Sequence, residues 1–199
     1  MVTMARGQAH TLEAFVAATV LLASVTFALQ VTAVTPLTAS TSSQHIENQQ
    51  ASVAQGLLDA AAENGTLKRT VLLSNISTSE EDNFVDGGPP TVFGAMLNET
   101  LDERGIAFNV DIYTVQENQE GKALNRIGLV HMGKPSDHAA SASRLVTLMD
   151  TDRRHEVDGG VAVPTNETLD SGSSFYLEER HDGDPVWTVV RVEVVVWRM

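Results

Sequence analysis

The sequence predicts an α+β protein, with an N-terminal transmembrane helix followed by an extracellular domain with a mostly antiparallel sheet and one or two packed helices. Three observations predict it. An uncharged apolar run opens the chain, two later stretches alternate with period two, and two others repeat with the helical period. The 199 residues then divide into a cytoplasmic N-terminus over 1–13, a transmembrane helix over 14–34, a Ser/Thr-rich linker over 35–43 and one domain over 44–199.

The apolar run comes first. Ala14 to Leu29 holds no charge, proline or glycine, and its polar side chains are only Thr19, Ser24 and Thr26. Small hydroxyls are tolerated in a bilayer helix because they bond back to a carbonyl one turn earlier. Extended to Val34, the run is long enough for a hydrocarbon core of about 30 Å at about 1.5 Å per residue. A buried core helix would keep a polar stripe, and this one has none. Arg6 precedes the run and the next base is Lys68, so the N-terminus is expected in the cytoplasm and the acidic body outside. A cleaved secretory signal is the competing reading, with Val31-Thr32-Ala33 as a small-x-small site.

The flanking residues Arg6-Gly7-Gln8, followed by Glu13, resemble the class III signal of archaeal type IV pilin-like proteins. The resemblance implies cutting between Gly7 and Gln8 by a prepilin peptidase, with the helix retained. It also implies an assembly role for Glu13 among other pilin-like subunits. Cleavage there places Glu13 sixth in the mature chain, one residue later than the family's glutamate.

Thr35 to Ser43 is rich in small hydroxyl residues around Pro36 and reads as a linker or helix break. From Gln44 the helical period returns, with Ile46, Val53, Leu57 and Ala61 in register and Ala54 and Leu58 beside them, until Asn64-Gly65 stops the helix. Thr70 to Leu73 reads as a short strand, and Ser74 to Pro90 as a polar loop ending in Gly87-Gly88-Pro89-Pro90. Thr91 to Arg104 is a second helix, with Phe93, Met96, Leu97 and Leu101 on one face and Gly105 as its stop. Ile106 to Val115 alternates as a half-buried strand, Gln116 to Lys122 turns, and Arg126 to Met132 is another strand. Ser141 to Met149 fits a strand or a short helix, and Asp150 to Gly160 reads as a charged, exposed segment.

Two stretches close the chain. Ser173 to Glu179 reads as a strand and His181 to Pro185 as a turn. Val186 to Trp197 is a long strand with Val186, Thr188, Val190, Val192, Val194 and Val196 on one face. A strand this long and apolar is expected in the centre of the sheet, because it would aggregate at an edge. Ser173 to Glu179 is its expected hairpin neighbour.

Charge and chemistry narrow the function. Net charge is −13, and the bases are three lysines (Lys68, Lys122, Lys134) against ten arginines. A spread, lysine-poor acidic surface resembles proteins of extreme halophiles. It excludes nucleic acid as a partner, since phosphate contacts need a basic patch. With no cysteine there is no thiolate metal site or Cys nucleophile. Six histidines (His10, His45, His131, His138, His155, His181) show no zinc-site spacing. Asp150, Asp152 and Asp158 lack EF-hand spacing. No catalytic constellation, cofactor motif or metal site is expected, and the chain does not read as an enzyme. Asn64, Asn75 and Asn166 are candidate N-glycan acceptors; a fourth sequon, at Asn98, lies in a predicted helix.

Taken over most of its length, the sequence resembles a family of uncharacterised haloarchaeal membrane proteins. The resemblance rests on Arg6–Glu13, Val31–Pro36, Ser42–Gln50, Gly105–Val110 and Val194–Met199. It implies an archaeal, membrane-anchored, pilin-like surface protein of minor pilin or pseudopilin type. The alternative is a single-pass anchored binding domain that does not polymerise.

Overall fold

The computed structural model describes residues 3–78, 84–118, 121–172, 174–180 and 183–198, without the side chains of residues 3–9, 31–43, 117 and 118. It is an α+β chain of two compact units, Met1–Ile46 and Glu47–Met199.

Helix α1 spans Thr3–Glu63. In the first unit it contains His10–Gln30, a 21-residue stretch long and apolar enough to cross a membrane, with none of it buried. Its hydroxyls turn back on the helix: Thr19 donates to the Phe15 and Val16 carbonyls at 3.0 and 2.8 Å, and Thr26 to Leu22 at 2.7 Å. Each donor is thereby satisfied without water. Helical backbone also covers Thr35–Ser43, where the sequence suggested a linker or break. Pro36 removes one backbone donor, and a helix with regular turns on both sides tolerates that loss.

In the second unit, the C-terminal part of α1 contributes Ala54, Leu57, Leu58 and Ala61 to the core. The expected stripe is therefore rotated: Ile46 and Val53 stay exposed, and Gln50 is buried in line with Ala54. Gly65, in the left-handed region at φ 72, ends α1 and opens the short helix α2, Thr66–Val71. This corrects the strand expected over Thr70–Leu73. Leu67 and Val71 fall four apart, so burying both suits a helical turn, and only Leu73 is strand-like, in a parallel bridge to His155.

Helix α3, Val92–Thr100, starts where Thr91 Oγ1 accepts from the Gly94 N–H at 3.1 Å. A 3-10 turn over Asp102–Arg104 follows, and Gly105 stops it at φ 69. The main sheet has the order β2-β1-β6-β3, built from β1 (Ile106–Asn118), β2 (Gly121–His131), β3 (Ala140–Met149) and β6 (Val186–Arg198). Every pairing in it is antiparallel. Strand β6 is central and paired on both sides, with Thr188, Val190, Val192, Val194 and Val196 buried on its core face. On the other face Arg191 sits 4.4 Å over the Tyr113 ring, and Arg126 reaches Asp111 at 2.9 Å. Over Ala107–Ile112 strand β1 is thus buried on both faces rather than half-buried, because Asn109 and Asp111 are enclosed as well. Asn109 fits by bonding the Met132 N–H and the Gly133 carbonyl, both at 2.9 Å.

Two expectations fail near the end of the chain. Asp150–Gly160 is not an exposed loop. It contains β4 (Arg153–Asp158), which pairs with β5 (Val161–Thr168) in a second, two-stranded sheet. Arg154 is only 2% exposed, and its guanidinium is stabilised by the Ser174 and Leu169 carbonyls and the Phe175 ring, 5.3 Å away. Nor is there a strand over residues 174–180; Ser173, His181 and Asp182 lie outside the described residues. That segment is fixed by side chains instead. Tyr176 donates to Val71 O at 2.6 Å, Trp187 Nε1 donates to Leu177 O at 3.0 Å, and Leu177 is fully buried. The neighbours of β6 are therefore β1 and β3.

A candidate anion cleft and the family

A cleft of about 830 Å³ opens in the second unit, between α2, the Gly87–Pro90 loop, the first turn of α3 and the β4–β5 hairpin. Its walls are mostly apolar, from Pro89, Pro90, Val92, Ala95, Val161 and Pro164 among others. Its ionisable side chains are the cationic Arg69 and Arg153 and the titratable His155. Among the described residues no carboxylate lines it, although the whole chain carries twice as many acids as bases, 26 against 13.

Local structure explains why these residues meet. The Gly87–Pro90 loop lies directly on the α3 backbone. A Cβ on Gly88 would stand 2.6 Å from Gly94 Cα, and one on Gly94 would overlap the Pro89 carbonyl oxygen. Only two facing glycines allow this approach. Asn98 Oδ1 accepts from the Gly88 N–H at 2.7 Å, Pro90 O accepts from the Ala162 N–H at 2.9 Å, and Thr70 donates to Thr91 Oγ1 at 2.8 Å. Loop, hairpin and both helices are thus tied together. Lys68 and Asp152 lock α2 to the β3–β4 turn at 2.6 Å, and Asp152 also accepts from the Met149 N–H.

Within the cleft, the His155 pKa is lowered, first by burial and secondarily by the Arg69 charge, while a hydrogen bond to the Arg153 carbonyl at 3.1 Å opposes them. The fold therefore favours neutral His155, and the unfolded chain binds a proton more readily. Its contribution to stability is full above about pH 6.5 and declines as pH falls through that value. Melting temperature is expected to drop between about pH 7 and 5, and His155→Gln to flatten that part of the profile. Parallel profiles for the two proteins would assign the drop to other groups.

The structure distributes the other candidate residues elsewhere. Gly7 and Gln8 lie in α1 with their side chains outside the described residues. Glu13 is exposed, with its Oε2 3.7 Å from Nδ1 of His10. Asn64 is exposed after α1 and its Oδ1 accepts from the Thr66 N–H and hydroxyl, at 2.9 and 2.6 Å. Asn75 is exposed beyond α2, and Asn166 is exposed on β5. His138 pairs with Glu47 at 2.9 Å and His131 ends β2. Sequence reasoning missed Arg69, Arg153 and His155 as a group. The one signal for the cleft was the Gly-Gly-Pro-Pro loop six residues before a helical glycine.

A family model described as a family of unknown function, DUF7288, matches residues 6–196. The chain belongs to DUF7288. The match covers both units of this DUF7288 protein, from the residue before Gly7 to the end of the β6 valine face. No curated protein and no solved structure matches it.

Proposed function

We propose that this DUF7288 protein is a membrane-anchored, pilin-like cell-surface structural or assembly protein of a halophilic archaeon. The observation that carries the proposal is the wholly exposed apolar stretch His10–Gln30 in a helix whose last turns cover an antiparallel sheet. Such a stretch is stable in lipid or against other apolar helices. Arg6-Gly7-Gln8 is then the processing site for a prepilin peptidase, and Glu13 pairs with the amino terminus of a neighbouring subunit. The N-terminus is cytoplasmic and the domain extracellular, where Asn64, Asn75 and Asn166 are open to glycosylation. The net charge of −13 suits molar salt, which screens its self-repulsion.

Two measurements test this. Mass spectrometry of the protein from its native membrane is expected to find Gln8 as the first residue; an intact Met1 overturns processing. Glu13→Ala is expected to insert normally yet lose co-assembly in crosslinking, and unchanged crosslinking would remove the assembly role. The cleft favours a second reading, an anchored binding domain that does not polymerise. Intact Met1 together with a monomer in the membrane would select it.

A further inference from the structure

We infer that the cleft between α2, α3 and the β4–β5 hairpin binds a small organic carboxylate with an apolar body. The inference holds whether or not the chain polymerises. Three observations carry it. The cleft volume of about 830 Å³ lies within the range of small-molecule sites, about 300–1,000 Å³. Its charged lining is cationic or titratable to cationic, with Arg69 and Arg153 both exposed on it. Among the described residues no carboxylate pairs with either arginine, whereas Lys68, Arg126 and Arg144 each have an acidic partner within 3 Å. In a strongly acidic chain, two arginines left to line a mostly apolar cleft point to a negative charge supplied from outside.

The chemistry selects the ligand class. A guanidinium presents a planar fork that matches a carboxylate with two parallel hydrogen bonds. His155 donates its Nδ1–H to the Arg153 carbonyl, which leaves Nε2 as its other polar atom. Pro89, Pro90, Val92, Ala95 and Val161 offer the body of the ligand apolar contact, which a free phosphate cannot use. The loop that forms one wall is held by the facing glycines and by Asn98, so the wall exists before the ligand arrives.

The test uses the full chain in zwitterionic lipid nanodiscs, with empty nanodiscs as the blank, in buffer where circular dichroism shows it folded. The probes are 2-naphthoate, its neutral analogue 2-naphthamide and inorganic phosphate. Naphthoate is expected to bind saturably above the blank, and at least about 10-fold tighter than naphthamide, the factor equivalent to about 1.4 kcal/mol. Arg69→Gln combined with Arg153→Gln is expected to weaken naphthoate by about 10-fold or more with the melting temperature little changed, since both side chains are exposed. Ala95→Phe, which fills the cleft from an exposed position, is a second variant expected to abolish binding and keeps the test decisive if the arginine variant unfolds. Equal affinity for naphthoate and naphthamide, naphthoate binding no greater than to empty discs, or full binding by Ala95→Phe would overturn the inference. Phosphate competing at the same concentration as naphthoate would also overturn it, by showing a site for any anion.

Discussion

Deleting Val190–Met199 is expected to unfold the second unit, Glu47–Met199, while the N-terminal helix keeps its helical structure. The deletion removes every β6 partner of β1 and leaves β3 only its pairs with Val186, Thr188 and Val189. It also removes Val190, Val192, Val194 and Val196, each at most 1% exposed. At about 1.5–3 kcal/mol per buried side chain these four contribute about 6–12 kcal/mol, against a total stability of about 5–15 kcal/mol for a typical domain. Point substitutions separate the faces. Val192→Asp should reproduce the unfolding, because it buries an unpaired carboxylate. Val189→Asp, at a position 38% exposed, should stay within about 0.5 kcal/mol of the parent. Limited proteolysis and tryptophan fluorescence report both. A truncated domain that resists protease would show that β6 is dispensable.

Gly94→Ala is expected to lower stability by about 3 kcal/mol or more. The added methyl would overlap the Pro89 carbonyl oxygen, which also accepts from the Thr91 N–H at 2.7 Å and so cannot move away without losing the turn into α3. The same substitution at Gly56, inside α1 with nothing within 4 Å of the new methyl, should instead stabilise by about 0.5–1 kcal/mol. Opposite signs for one chemical change in chemical denaturation would locate the effect in the close approach rather than in helix propensity. If Gly94→Ala proves neutral, the loop and α3 are not packed as described.

What the sequence reveals and conceals follows from where the signal lies. Strand β6 was legible because valine recurs at every second position for most of its length, a period only a strand shares between two faces. Strand β4 was not legible. Arg-Arg-His-Glu-Val-Asp looks like solvated charge, and its inward-facing Arg154 is accommodated by carbonyls and a ring from residues 169–175. The apolar run Val71-Leu72-Leu73 was too short to separate a helix end from a strand. The Ser173–Glu179 stretch has strand-like composition, yet its polar groups bond to Arg154, Val71 and Trp187 rather than to a ladder. The cleft was invisible because Arg69, Arg153 and His155 come from two segments about 85 positions apart, and no local motif joins them.

The sheet order β2-β1-β6-β3 also sets a timetable. Ile106 pairs with Arg198 and Tyr113 with Arg191, so the middle slot of the sheet is filled by the strand that leaves the ribosome after all the others. At about 5–20 residues per second, β1 and β3 wait several seconds facing an empty space, each with an open row of amides. Nascent chains are then most vulnerable to sticking to one another, and faster synthesis shortens that interval. Folding speed is correspondingly limited by closing long loops rather than by forming helices. The sheet therefore closes in one late step, once β6 is free to enter between β1 and β3.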